Sequence, residues 1–154
     1  MTPAVHANCL VIGTKGLLIR GASGSGKSLL SDHLIDFANE RGNLGALVSD
    51  DRVMLAGIEG RLVANVPDPI RGKLEVRGIG VVDCDFIDKA AVDLIVDLVP
   101  PTDMERFPDH SMTPVILEDI KIPSIKCPAN DPLTSVRLIR WTMRSLFPET
   151  SDYI

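Results

Sequence analysis

The feature that most constrains this chain is "GASGSGKS" at residues 21–28, entered directly from an apolar run, "GLLIR". The spacing fits G-x-x-x-x-G-K-[ST], a glycine-rich turn whose backbone N–H groups point inward to hold phosphate oxygens. That motif requires a strand before the turn and a helix after it, and both are legible. Gly21, Ala22, Ser23, Gly24, Ser25, Gly26, Lys27 and Ser28 are therefore the candidate nucleotide-binding residues. Lys27 is placed to reach the outer phosphates of ATP, and the Ser28 hydroxyl to take one position on a magnesium ion. The competing reading is a plain glycine turn capping a helix, with Ser23 or Ser25 satisfying backbone donors.

The rest of the chain reads as strands with few helices. "ANCLVI" and "GLLIR" form a hairpin with Gly13 in its turn. From Lys27 to Arg41, Leu30, Leu34 and Phe37 recur at helical spacing, and Gly42 marks the stop. "GALVSDDRVML" is an apolar strand interrupted by Asp50 and Asp51, followed by a second β-rich run that "GIEG" turns back into "RLVAN". "KLEVRGIGVVD" and a buried strand "AAVDLIVDLV" follow, then a polar loop "TDMERFPDHSMTP". "VILEDIKIPSIK" gives further strands, with Pro123 confining its part to an edge or a bulge. Asp131 and Pro132 start an amphipathic helix carrying Leu133, Val136, Ile139, Met143 and Leu146, and "PETSDYI" reads as frayed. Two helices against seven or more strands predict an α/β domain with a mixed, partly antiparallel sheet and the phosphate-loop helix packed on it. We expect one domain over residues 1–147 and a flexible tail over 148–154.

Composition narrows the partners. A net charge of -5 argues against duplex nucleic acid, which needs a basic face. No apolar run approaches the roughly 18 residues that span a bilayer, and the N-terminus lacks a signal-peptide pattern, so a cytoplasmic protein without membrane contact is expected. Cys9, Cys84 and Cys127 are scattered, with no C-x-x-C pair, and read as buried thiols.

Asp50 and Asp51 end a strand after the loop helix, where a carboxylate can approach both magnesium and an attacking nucleophile. Successive strand residues face opposite ways, so only one of them faces the phosphates unless the strand bends there. Either is a candidate general base. The alternative is a solvated acidic turn. "LEVRGIGVVD" sets Glu75 and Arg77 before a G-x-G turn, which by itself marks no more than a turn between strands.

Taken in order and spacing, "GASGSGKS", "VSDDRV" and "LEVRGIGVVD" closely resemble the catalytic domain of the HPr kinase/phosphorylase family, bifunctional enzymes acting on a serine of the phosphocarrier HPr. The resemblance runs from about His6 to Phe147, and the third motif is that family's distinguishing signature. It implies a fold of the HPr kinase and PEP carboxykinase type, and an ATP- and magnesium-dependent serine kinase of the phosphotransferase system. One aspartate of the Asp50–Asp51 pair would take the proton from the substrate serine and return it during dephosphorylation. His6 would assist near that serine, and Glu75 would hold magnesium alongside Ser28, with Asp51 the further acidic candidate. Arg106 in "MERF" resembles the arginine of a loop near the transferred phosphoryl group, and Lys126 in "KIPSIKCP" resembles a contact for phosphorolysis. On sequence alone His6 and Arg106 are equally an ordinary strand residue and a surface arginine. The family assembles as hexamers, so the resemblance also implies a homo-oligomer.

Departures from the family pattern matter as well. Its separate N-terminal domain has no counterpart in these 154 residues, so regulation by that domain is expected to be absent. "CDFIDKAAVDLIVDL" is several residues shorter than usual, and "ANDP" replaces a "GRN"-like continuation, which makes phosphorolysis the less secure half of the activity. Arg137, Arg140 and Arg144 share one helix face, either solvated or a docking stripe for a protein. Two other functions stay open at this point. One is a small-molecule kinase or nucleotide hydrolase on the same loop; the other is a non-catalytic ATP sensor.

Overall fold

The computed structural model describes residues 4–106 and 113–154. The polar loop expected around "TDMERFPDHSMTP" therefore falls partly outside the described residues. Its first part forms a short 3-10 turn, Pro101–Asp103.

Strands β1 (Val5–Ile12) and β2 (Lys15–Arg20) form the expected hairpin, and β2 runs into the glycine loop and helix α1 (Lys27–Glu40). Next come β3 (Gly45–Ser49), β4 (Arg52–Ile58), β5 (Arg61–Asn65), β6 (Lys73–Val76), β7 (Gly80–Asp83), β8 (Lys89–Ala91) and β9 (Leu94–Val99). The chain closes with β10 (Val115–Leu117), β11 (Ile120–Ile122), β12 (Ser124–Pro128) and helix α2 (Pro132–Leu146). The main sheet has the order β12-β9-β2-β1-β4-β5-β8, with β3 also paired to β1. Strands β2, β9 and β12 run parallel, while the pairs from β1 to β8 are antiparallel, so the sheet is mixed as expected. Pro123 immediately precedes the edge strand β12, where a missing N–H costs least.

One expectation fails in detail. "AAVDLIVDLV" is not a single strand: β8 pairs with β5 on one flank, whereas β9 lies between β2 and β12 on the other. The break falls at Val92 and Asp93. There the Asp93 carboxylate accepts from the Gly16 amide at 2.9 Å and pairs with Arg61 at 3.1 Å. That carboxylate holds the chain as it crosses over, a role that apolar patterning does not reveal.

Both sheet faces are buried. Leu17, Ile19, Leu94 and Val96 meet Leu30 and Leu34 of α1 and Val136 and Ile139 of α2 on one side. On the other side Cys9, Val11, Leu18 and Ile95 are covered by Val53, Leu55 and Leu62 from the antiparallel flank, which folds over them. Cys9 and Cys127 sit in these cores as free thiols, and burial pushes both up to about 12. No helix among the described residues is long and apolar enough to cross a membrane.

The segment 148–154, read from sequence as a frayed tail, packs back onto the body. Ile154 is only 2% exposed and joins the helix-side core. The Tyr153 ring lies so close to Gly13 that any Cβ there would overlap it, and its hydroxyl meets Thr14 Oγ1 at 3.0 Å. Two arginines of the α2 stripe hold this segment. Arg140 Nε donates to the Ile154 carbonyl at 3.0 Å, and Arg144 forks onto Asp152 at 2.9 and 3.0 Å. The tail is polar in sequence but ends in an isoleucine that finds a pocket, and this apolar anchor overrides the frayed reading.

Candidate active site

The glycine loop leaves β2 and opens α1 through Gly26, whose φ of 93° is a left-handed conformation that a side chain would strain. As N-cap, Gly26 offers no side-chain oxygen, so the first-turn amides of α1 are left without a cap of their own. Lys27 is 6% exposed and bends back over the loop, donating to the Gly21 and Ala22 carbonyls at 3.0 and 3.2 Å. Burial lowers its pKa from 10.5, against the opposing pull of Asp51 and Asp50.

Strands β3 and β4 form one interrupted line along β1. The Cys9–Ser49 and His6–Arg52 pairings bracket two residues on each strand, which brings Asn8 level with Asp50. At the interruption the chain turns. Arg52 N donates to the Asp50 carbonyl at 2.9 Å, Asp51 has a φ of 70°, and Ser49 Oγ donates to the Arg52 carbonyl. This is the bend that the sequence left conditional, and it frees both carboxylates from strict alternation.

The two aspartates then meet different fates. Asp50 Oδ1 accepts from Ser28 Oγ at 2.5 Å and from Asn8 Nδ2 at 2.7 Å, while its Oδ2 accepts from the Glu75 amide at 2.9 Å. Asp51 is 61% exposed on its side chain and lies 2.6 Å from His6 Nε2 through Oδ1. Both Asp50 oxygens accept hydrogen bonds, whereas Asp51 meets His6 through Oδ1.

A cavity of about 310 Å³ lies where these parts meet. Lys27, Ser28, Asp51 and Glu75 line it, with Arg77 from the β6–β7 hairpin and Asn130 from the turn before α2. A second, smaller hollow of about 140 Å³ lies between α2 and the returning tail, away from these groups. Arg106 is exposed after β9 and Lys126 is exposed on β12 opposite Asp97; neither lines the cavity. No group of three or more His, Cys, Asp or Glu side chains with metal-binding geometry occurs among the described residues.

Sequence reasoning missed Asp32 of α1, which lines the cavity, and two asparagines that hold the site together. Asn130 supports the glycine loop by donating twice: its amide to the Ser25 carbonyl at 2.9 Å and its Nδ2 to the Gly24 carbonyl at 3.0 Å. Asn8 is fully buried in the middle of an apolar strand and bonds to three other residues. A signal for Asn8 existed, because an amide side chain is rare inside a strand core and must be completed by partners.

Comparison with known proteins places this geometry. The family model for the HPr Serine kinase C-terminal domain matches residues 1–146. The chain belongs to this family. A solved structure of the Hpr(Ser) kinase/phosphatase from Coxiella burnetii is 32% identical, with a TM-score of 0.78 over 93% of this chain and 97% of that one. The HPr kinase/phosphorylase of Limosilactobacillus reuteri is 28% identical over 97% of this chain and 48% of its own length. That of Clostridium tetani is 46% identical over 44% of this chain and 20% of its own. The chain thus spans about half or less of these curated relatives. Within the HPr serine kinase C-terminal domain family, the mixed α/β architecture described above matches the solved relative across nearly its whole length.

Proposed function

We propose that this chain is an ATP- and magnesium-dependent kinase that phosphorylates a serine of an HPr-type phosphocarrier protein. The observation that carries the reading is the meeting of Lys27, Ser28 and the Asp50–Asp51 turn with Glu75 of the signature hairpin around one cavity. Residues 21–28 are read as a Walker A loop. The uncapped amides at the start of α1 are donors that suit phosphate oxygens, the helix dipole favours the same charge, and Lys27 turns from the loop carbonyls to the β- and γ-phosphates.

The donor set also fits magnesium, which keeps several waters and is bound through one or two carboxylates plus substrate phosphates rather than by a protein cage. The Ser28 hydroxyl and the Glu75 carboxylate would hold it, with Asp50 oriented on the same hydroxyl. Its chemistry is to neutralise charge on the outer phosphate oxygens.

Asp51 is assigned as the base and Asp50 as the anchor, because both Asp50 oxygens are already engaged. This moves Asp51 out of the magnesium set implied by the family resemblance. Asp51 accepts the serine hydroxyl proton as the serine oxygen bonds to the terminal phosphorus and the bond to the nucleoside diphosphate breaks. His6 orients the Asp51 carboxylate from 2.6 Å. The relatives' names include a phosphorylase activity. In that direction Asp51 returns the proton to the serine while inorganic phosphate takes the phosphoryl group, giving pyrophosphate. The roles the resemblance implies for Arg106 and Lys126, at the phosphoryl group and at inorganic phosphate, draw no support from the cavity, which neither residue lines.

The test is to incubate the chain with HPr, magnesium and γ-labelled ATP. Acid-stable phosphoserine on HPr, absent with Lys27→Ala, is the expected result. Label released as free phosphate, with HPr unlabelled, would overturn the proposal in favour of a hydrolase.

A further inference from the structure

Asn8 is the most constrained polar side chain near the cavity, although it does not line it. It is 0% exposed, and its strand neighbours Ala7, Cys9 and Leu10 are apolar and equally buried. A buried amide is costly unless its hydrogen bonds are made. Here both Nδ2 protons are used, one to Asp50 Oδ1 at 2.7 Å and one to Ser31 Oγ at 3.1 Å. Its Oδ1 accepts the Asp51 amide at 2.8 Å. Ser31 in turn donates to the Lys27 carbonyl at 2.8 Å, which ties the same network to the first turn of α1.

These bonds act on the two aspartates in different ways. Asp50 is gripped by its side chain, from the side opposite the Glu75 amide, and is thereby held against Ser28. Asp51 is gripped by its backbone, at a φ of 70° that strains a non-glycine residue and needs outside support. Held through its backbone, at the amide by Asn8 and at the carbonyl by the Ala7 amide at 3.1 Å, Asp51 keeps its carboxylate available to His6 and the cavity. We propose that Asn8 is a positioning residue that divides the labour of the pair, locking Asp50 as anchor and presenting Asp51 as base. This rests on the kinase reading of the site. No other residue type supplies two donors and an acceptor on one planar group of this length. The substitution Asn8→Asp would set another carboxylate beside Asp50 and lose both donors; Asn8→Leu would take the acceptor from the Asp51 amide and one donor each from Asp50 Oδ1 and Ser31 Oγ.

The test uses Asn8→Leu and Asn8→Asp in the whole chain, with three readouts. With HPr as substrate, kcat is expected to fall at least about 100-fold in both variants, the order seen when a general base is misplaced. The dissociation constant of a fluorescent ATP analogue, measured without magnesium, is expected to stay within about three-fold, because the loop and Lys27 are untouched. In Asn8→Leu, exchange of the Asp51 amide proton, followed by NMR, is expected to quicken at least about ten-fold once its acceptor is gone, whereas Asn8→Asp keeps an acceptor oxygen there and tests the lost donors through kcat. If Asn8→Leu fails to melt cooperatively, Asn8→Asp, which is isosteric, decides. A folded variant with parental kcat overturns the proposal. Should the parent itself leave HPr unlabelled, the kinase reading fails, and Asp51 exchange alone decides: faster exchange keeps the clasp, and unchanged exchange overturns it.

Discussion

Ser28 Oγ donates to Asp50 Oδ1 across 2.5 Å, joining the first turn of α1 to the turn between β3 and β4. Two motifs 22 residues apart are thereby fixed relative to each other before any substrate arrives. Asp50 completes this link with both its oxygens engaged inside the protein, and on the proposed kinase reading that occupancy leaves proton transfer to Asp51.

The two aspartates are therefore expected to fail differently. Asp51→Asn removes the base and should lower kcat by about 10²–10⁴-fold with little change in nucleotide affinity. Asp50→Asn disturbs Ser28 and should instead raise the magnesium concentration needed for half-maximal rate. Steady-state kinetics at varied ATP and magnesium separates the two patterns.

Asn130 and Gly26 test the loop as a preorganised cradle. A Cβ on Gly26 would lie 3.0 Å from Asn130 Oδ1, at a φ of 93°. Gly26→Ala is expected to destabilise the fold by about 1–2 kcal/mol through the left-handed backbone and to raise KM for ATP. Asn130→Ala, which removes the bond to the Gly24 carbonyl, should raise KM for ATP with a smaller loss of stability. Urea unfolding and initial rates on the same preparations check both.

Lys27 carries a pH signature. Its pKa is lowered in the folded chain by burial, so between that value and 10.5 the unfolded chain binds the extra proton. Its contribution to stability therefore rises as pH climbs through that window. Cys9 and Cys127 act in the opposite sense above 9.0, because the folded chain keeps protons that the unfolded chain releases. Subtracting the curve of Lys27→Met from that of the parent isolates the lysine. Urea unfolding between about pH 8 and pH 10.5 should show the difference in stability shifting toward the parent as pH rises.

The returning tail is expected to matter for stability rather than chemistry. Ile154→Ala should cost about 2–5 kcal/mol, the usual range for truncating a buried isoleucine. Because the tail lies against the β1–β2 turn and α2, away from the cavity, kcat and KM measured well below the melting point should stay near parental values.

What the sequence made legible was whatever its own local chemistry declares. The glycine loop, its helix and the hairpin turn at Gly13 follow from backbone needs that only certain residues meet. The Asp50–Asp51 pair was legible as acidic chemistry, but the division into anchor and base proposed for it rests on a turn and on Asn8, which is 42 residues from Asp50 in the chain. Asn130 was opaque for the same reason: its meaning lies in the two loop carbonyls it reaches. The split of β8 from β9 and the docking of Ile154 likewise come from long-range partners, Gly16 and the helix-side core, that no local pattern encodes.

The most direct measurement is a structure of the chain with magnesium, an unreactive ATP analogue and HPr. The γ-phosphate is expected beside Lys27, and the target serine hydroxyl within hydrogen-bonding distance of Asp51. Phosphates bound elsewhere, or a serine that approaches no carboxylate of the 50–51 turn, would contradict the kinase assignment.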